Sequence, residues 1–181
     1  MALRAGSFCC VALFVSLIAH AATGDDRLVS RERLHLFSIS KSENRNQVLF
    51  DVRLDAHCRP VGDAPVFAYW LMLERSADTV EPLLPIERRA YGIGRQEVLE
   101  RDETGGAVRI ALRALPGREI VVRSRREGTS CSREASTLIS NTPARLFNVH
   151  ARLAWPFGVD SLLITGWAAS DGHLVRETLR P

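Results

Sequence analysis

Short runs of alternating apolar and polar residues recur from residue 33 onward, and they limit the fold more than any other feature. In residues 47–54, for example, Val48, Phe50 and Val52 occupy every second position. A period of two places these side chains on one face of an extended strand. The runs that predict strands are 33–40, 47–54, 66–73, 107–114, 118–125, 145–154, 161–168 and 173–179. We therefore predict a mainly β fold: an antiparallel β-sandwich or barrel of about 7–9 strands with one short helix.

Two glycine-containing turns predict hairpins. Asp171-Gly172 separates the last two predicted strands, and Leu115-Pro116-Gly117 separates 107–114 from 118–125. A two-residue loop at 116–117 would mix Arg123 into the apolar face, so we expect a three-residue connection or a bulge, with positive φ at Gly117. The outer face of this hairpin would then carry an arginine stripe formed by Arg109, Arg113, Arg123 and Arg125.

One segment carries the boundary residues of a helix. Pro85 opens the sequence PIERRAY, and Gly92 follows it,. The segment is barely two turns long, so packing rather than helix propensity must stabilise it. We interpret much of the remaining polar stretch at 74–106 as loop.

The first 24 residues have the layout of a secretory signal peptide. Arg4 precedes an uncharged, mainly apolar run from Phe8 to Ala19, and Ala19-His20-Ala21 places small residues where a signal peptidase recognises them. The run is shorter than the roughly 20 residues that cross a bilayer. We predict that 1–24 is a signal peptide cleaved near 21/22, with an uncleaved anchor as the alternative. Residues 25–181 would form a single exported β-rich domain, periplasmic or secreted, and not an integral membrane protein.

Two cysteines, Cys58 and Cys131, follow the predicted signal peptide. Exported proteins meet an oxidising compartment, in which two thiols usually pair. We therefore predict a Cys58–Cys131 disulfide. A nucleophilic Cys131 is the less favoured alternative, because no His-Gly pair precedes it as the exported cysteine transpeptidases would require.

The sequence contains no recognisable catalytic constellation. Nucleophile-elbow, phosphate-loop and dinucleotide patterns are absent, and the histidines after residue 24 lie at no metal-ligand spacing from each other or from a cysteine,. We predict no catalytic residue, no metal and no cofactor, so that an enzyme is the less favoured class. The net charge of +3 is too small to indicate a nucleic-acid partner,.

Nearly every cation in the chain is an arginine, since Lys41 is the only lysine among 24 basic residues. The guanidinium group binds carboxylate or phosphate through two parallel hydrogen bonds. Arg88 and Arg89 lie beside Tyr91 in the predicted helix, and Trp155 lies in a predicted loop. We predict that these four residues bind a ligand, either an acidic small molecule or an envelope component. A codon bias that makes every surface cation an arginine is the alternative explanation.

Five stretches occur in order along the chain: SENRNQV at 42–48, PVFAYWLM at 65–72, IERRAYG at 86–92, ALPGR at 114–118 and RETLRP at 176–181. Together they resemble a bacterial exported family known as domain of unknown function 4833, over nearly all of the chain after the signal peptide. The resemblance implies a single exported domain. It carries no established activity and no catalytic residues.

These observations predict a non-catalytic periplasmic β domain that binds a ligand or a partner. Two alternatives stay open: an envelope hydrolase or transferase whose site is assembled from distant residues, and a structural subunit of an envelope complex. A cleft that unites a histidine, a carboxylate and a serine would favour the enzyme. A large exposed apolar patch would favour the subunit.

Overall fold

The computed structural model describes residues 35–74, 79–155 and 158–180, so the predicted signal peptide lies outside the described residues. Within these ranges the chain forms eleven strands and one helix, α1 (Pro85–Tyr91). The strands are β1 (Phe37–Lys41), β2 (Asn44–Val52), β3 (Val66–Met72), β4 (Thr79–Pro82), β5 (Ile93–Arg101), β6 (Gly105–Leu112), β7 (Glu119–Glu127), β8 (Ser130–Ile139), β9 (Thr142–Ala154), β10 (Gly158–Ala168) and β11 (Leu174–Leu179). No helix in the described ranges is long and apolar enough to cross a bilayer.

The strands form one open sheet in the order β4-β3-β2-β1-β9-β8-β7-β6-β5, with β10 beside β9 and β11 beside β10. The predicted mainly β composition and the short helix are confirmed. The prediction of a sandwich or barrel is not confirmed, because the strands belong to a single sheet that does not close. The prediction of purely antiparallel pairing is wrong, since β1 runs parallel to β9.

β9 is the strand at which the sheet changes neighbours. Its first residues pair with the end of β8, Thr142 opposite Ile139, and its later residues pair with β1, Val149 beside Ile39. β10 pairs along nearly its whole length. A single long strand thus joins the β1–β4 half of the sheet to the β5–β8 half.

The alternating apolar residues meet in one core. Phe37 of β1 stacks on Phe50 of β2 with ring centroids 4.4 Å apart. In the β6–β7 hairpin, Ile110 faces Ile120 and Val108 faces Val122, so the two apolar sets align as predicted. The connection is longer than the predicted three residues, because β6 ends at Leu112 and β7 begins at Glu119. Gly117 has a φ angle of 77°, as predicted.

Three strands were not predicted from the sequence: β4, β5 and β8. β5 lies at one end of the strand order and contains two register shifts, at 93–95 and 98–100, which interrupt its alternation. β4 and most of β5 are solvent-exposed, so neither carries an apolar period. The interpretation of 74–106 as mostly loop is therefore wrong for β4 and β5, while α1 is confirmed within it.

The side-chain amide of Gln96 on β5, at one end of the strand order, bonds to β3, which is next to the other end. Gln96 Nε2 donates to the carbonyl oxygen of Val66 (3.2 Å), and its Oε1 accepts from the Val66 backbone N–H (3.0 Å). Val66 pairs with Val52 of β2, and within the described residues β4 reaches only Tyr69–Met72 of β3, so the other side of Val66 is left for this contact. The amide thus satisfies two backbone groups of a buried residue,.

Candidate functional site

The predicted disulfide between Cys58 and Cys131 is confirmed, with Cα atoms 5.4 Å apart. It attaches the loop between β2 and β3 to the start of β8. Ser124 Oγ on β7 donates to the carbonyl oxygen of buried Cys58 (2.7 Å), so the same loop is also bonded to β7.

Arginines add further bonds at this end of the molecule. Arg101 Nε donates to Pro60 O (2.9 Å) and its Nη2 to Gly62 O (2.6 Å), while Arg126 donates to the carbonyl oxygen of Ala56. Within the loop, backbone and side-chain N–H groups of Arg59 hold the pKa of Asp55 at about 2. We call the loop 53–65 and the strand ends bonded to it the clasped end.

A cleft of about 820 Å³ lies at the other end of β6, where that strand leads into Arg113. The backbone N–H of Arg113 donates to Gly92 O (3.1 Å), which sets the end of α1 beside the β6–β7 connection. The remaining walls come from β1 and the turn after it, from the ends of β9 and β11, and from the first half of β10. Apolar side chains predominate, among them Ile39, Ala151, Leu153, Leu162 and Leu179. We call it the arginine-rimmed cleft.

Three arginines, Arg89, Arg113 and Arg180, line the cleft together with one carboxylate, Glu43. All three arginines are exposed. Within residues 35–74, 79–155 and 158–180 none of their guanidinium groups has a hydrogen bond or an ion pair, unlike Arg101 at the clasped end. The cleft therefore combines apolar walls with a surplus of uncommitted positive charge.

Tyr91 lies between the cleft and the core. Its ring packs edge-on against Trp70, with centroids 5.8 Å apart. Burial raises the pKa of the Tyr91 phenol, and the negative charges of Glu43 and Glu87 raise it further. The phenol is therefore neutral at physiological pH and available as a hydrogen-bond donor.

The family model described as Domain of unknown function (DUF4833) matches residues 37–178, from the start of β1 to the next-to-last residue of β11. The chain belongs to the DUF4833 family. No curated protein and no solved structure matches it significantly. Arg89, Arg113 and Tyr91 of the cleft fall inside the matched range, whereas Arg180 lies two residues beyond it.

The structure of this DUF4833 domain brings together two of the four residues predicted to bind a ligand, Arg89 and Tyr91, on the wall of the cleft. Arg88 does not line it, and its Nε donates to Leu83 O (2.9 Å) at the start of α1. Trp155 is 93% exposed in the β9–β10 turn, whose flanking residues Ala154 and Gly158 do line the cleft.

Sequence reasoning placed Arg113 on the arginine stripe and did not single out Arg180. Arg109 of that stripe faces carboxylates, with Glu97 at 3.2 Å and Glu119 at 3.6 Å. Arg113 and Arg180 are far apart in the sequence, so only the fold reveals that they line one cleft. No local pattern marks them as a pair.

One serine–histidine contact was also not predicted. Ser40 Oγ lies 3.0 Å from His150 Nδ1, because β1 and β9 pair with Ser40 beside His150. Asn148 Oδ1 lies 3.3 Å from the same hydroxyl. Among the described residues no carboxylate contacts His150, and neither Ser40 nor His150 lines the arginine-rimmed cleft.

Proposed function

We propose that this DUF4833 domain binds an acidic ligand in the arginine-rimmed cleft without transforming it. One observation carries the proposal: Arg89, Arg113 and Arg180 line an apolar cleft while no described residue engages their guanidinium groups. Guanidinium groups bind carboxylate and phosphate through charge-assisted hydrogen bonds, and the apolar walls add surface for the apolar part of a ligand. The Tyr91 phenol adds a neutral donor.

Among the predicted ligand-binding residues, the proposal uses Arg89 and Tyr91. Arg88 and Trp155 remain predictions that the proposal does not use. Arg88 is bonded to Leu83 O, and Trp155 follows the lining residue Ala154 without lining the cleft itself. We also propose that the domain is exported to the periplasm or secreted. The Cys58–Cys131 disulfide supports export, because such bonds persist in oxidising compartments,.

The experiment is a fluorescence titration with 8-anilinonaphthalene-1-sulfonate, a probe that combines an anionic group with an apolar body. We expect saturable binding to the folded domain. Arg89→Glu should weaken binding about tenfold, because it replaces a charge-assisted contact with repulsion.

Arg95→Glu on β5 is the matched control, since the side chain of Arg95 is 80% exposed and does not line the cleft. It makes the same change of charge and should leave the probe affinity within about twofold. Circular dichroism and melting curves establish that both variants are folded. The proposal fails if the folded wild type does not bind the probe, or if both reversals weaken binding equally.

The enzyme alternative has one observation in its favour, the 3.0 Å contact between Ser40 and His150. We favour ligand binding because a serine nucleophile needs an oriented base, and no described carboxylate contacts this histidine,. The structural-subunit alternative has weaker support. The apolar pair that favours it, Trp167 and Leu174, which face each other on β10 and β11, is only partly exposed, by 43% and 39%.

A further inference from the structure

We propose that the ligand of the arginine-rimmed cleft is a single-chain amphiphile with an anionic carboxylate or phosphate headgroup. The inference rests on the proposed function and names the ligand class for that same site. It follows from three features of the cleft: the composition of its walls, the placement of its charges and the exposed apolar residues on the elements that border it.

Core residues form part of the cleft wall. Ile39, Ala151 and Leu162 line the cleft, and each also belongs to the buried core of the sheet. Leu153 and Leu179, which pack against that core, line the cleft as well. A purely polar anion would bury none of its own surface against these side chains. An acyl chain would, and each methylene transferred from water to an apolar wall raises affinity up to about fourfold.

The charges of the cleft fit a single negative headgroup. Among the described lining residues, three arginines (Arg89, Arg113 and Arg180) outnumber one carboxylate, Glu43, so these residues carry a net positive charge. The planar guanidinium fork matches carboxylate and phosphate and cannot bind a cationic headgroup. An anionic head at the arginines with its chain against the core residues satisfies both features of the lining.

Two of the segments next to the cleft carry exposed apolar side chains. Ile86 is 74% exposed on α1 and lies three residues before Arg89, so both lie on one side of the helix,. Trp155 is 93% exposed and follows Ala154, the last residue of β9, which lines the cleft. An exposed tryptophan and an exposed isoleucine next to the cleft are suited to contact with a lipid surface, from which an amphiphile could enter.

The test displaces 8-anilinonaphthalene-1-sulfonate with butanoate, octanoate and dodecanoate below their micelle concentrations. We expect dodecanoate to bind at least tenfold more tightly than octanoate, and Arg89→Glu to weaken dodecanoate about tenfold. Dodecyltrimethylammonium, with the same chain and a positive head, should bind at least tenfold more weakly than dodecanoate. Leu153→Asp should reduce the gain with chain length, with circular dichroism confirming its fold.

Two further arms identify the source of the ligand. Dodecyl phosphate against dodecanoate compares the two headgroups, and vesicles of phosphatidylcholine with or without phosphatidylglycerol test uptake from a membrane. Tighter binding of either single-chain anion, with or without vesicle binding, supports the proposal. Binding to anionic vesicles without binding of monomeric dodecanoate overturns it in favour of surface contact alone.

The chain-length series separates this inference from the proposed function. If 8-anilinonaphthalene-1-sulfonate binds in an Arg89-dependent way but butanoate and dodecanoate compete equally, the amphiphile is wrong and acidic-ligand binding stands. Equal binding of dodecyltrimethylammonium and dodecanoate also overturns the anionic head. If no anion responds to Arg89→Glu, both proposals fail.

Discussion

The two ends of β6 use the same residue type in opposite ways. At the clasped end, Arg101 and Arg126 donate to backbone carbonyls of the loop 53–65, which the disulfide also attaches to the sheet. At the cleft, Arg89, Arg113 and Arg180 line an apolar space without a described partner. Arginines are therefore abundant along the whole chain, whereas the three that line the cleft differ from Arg101 and Arg126 in having no described hydrogen-bond or ion-pair partner.

This difference bears on the codon-bias explanation for the arginines. A bias would place arginines on every surface and would explain their number. It does not explain why Arg101 and Arg126 bond to the loop 53–65 while Arg89, Arg113 and Arg180 line a cleft. The comparison predicts that arginine substitutions at the clasped end affect stability and that those at the cleft affect binding.

The largest expected effect comes from removing the disulfide. The cysteines are 73 residues apart in sequence. The double variant Cys58→Ser, Cys131→Ser should therefore lower the free energy of unfolding by about 2–5 kcal/mol. Urea denaturation measures the loss. Affinity for 8-anilinonaphthalene-1-sulfonate at 25 °C should stay within about twofold, because neither cysteine lines the cleft.

Reduction of the wild type with dithiothreitol is the control and should lower the free energy of unfolding by a similar amount. A loss below about 1 kcal/mol would show that the hydrogen bonds of the loop, rather than the disulfide, stabilise the clasped end. A folded double variant whose probe affinity falls more than about twofold would contradict the independence of the two ends.

A matched pair of alanine substitutions gives the next largest effect. Arg101→Ala should lower the free energy of unfolding by about 1–2 kcal/mol, because the buried carbonyl of Pro60 loses its donor,. Arg89→Ala should change it by less than about 0.5 kcal/mol, since Arg89 is exposed and alanine favours helix,. Urea denaturation of both variants under one condition checks the difference. Similar losses would remove the contrast between the ends.

The smallest effect concerns the ion pair between Arg118 and Glu177. Arg118 Nη2 lies 2.7 Å from Glu177 Oε1, and the Ser140 backbone N–H donates to Glu177 Oε2 (2.7 Å). Partial burial raises the pKa of Glu177, but these two donors outweigh it, so the pKa is lowered from its usual value of 4.5. The carboxylate therefore stabilises the fold above the unfolded pKa and loses this contribution as pH falls through the folded pKa.

Glu177→Gln should accordingly lower the free energy of unfolding by about 0.5–1 kcal/mol at pH 7, and the difference from wild type should shrink below about pH 4. Urea denaturation at several pH values measures both quantities. Asp160→Asn, which removes an exposed carboxylate 3.7 Å from Arg152, is the control and should have almost no effect. A difference that grows at low pH would mean that Glu177 is not stabilised as a carboxylate.

Much of the fold could be predicted from the sequence where one face of a strand is buried. β2 and β6 carry an apolar period, and the alignment of Ile110 with Ile120 follows from matching apolar faces. β5 could not be predicted, because its register shifts and exposed residues remove the period. β8 was also not predicted, since few of its residues are buried.

The candidate site was predictable only in part. Arg89 and Tyr91 could be predicted from the sequence because they are close together on one short helix. Arg180, Leu162 and Ile39 were not, because the contacts that place them at one cleft join distant strands. The same holds for Ser40 and His150, which meet only through the parallel pairing of β1 and β9.

By itself the sequence determined the β character, the helix at Pro85–Tyr91 and the pairing of Cys58 with Cys131. These depend on local periodicity, on boundary residues and on the number of cysteines left after the predicted signal peptide. Only the tertiary structure decided that the sheet is open and mixed, and which arginines bond to carbonyls and which line a cavity. The reason is that a guanidinium group's partners come from segments distant in sequence, and no local pattern encodes them.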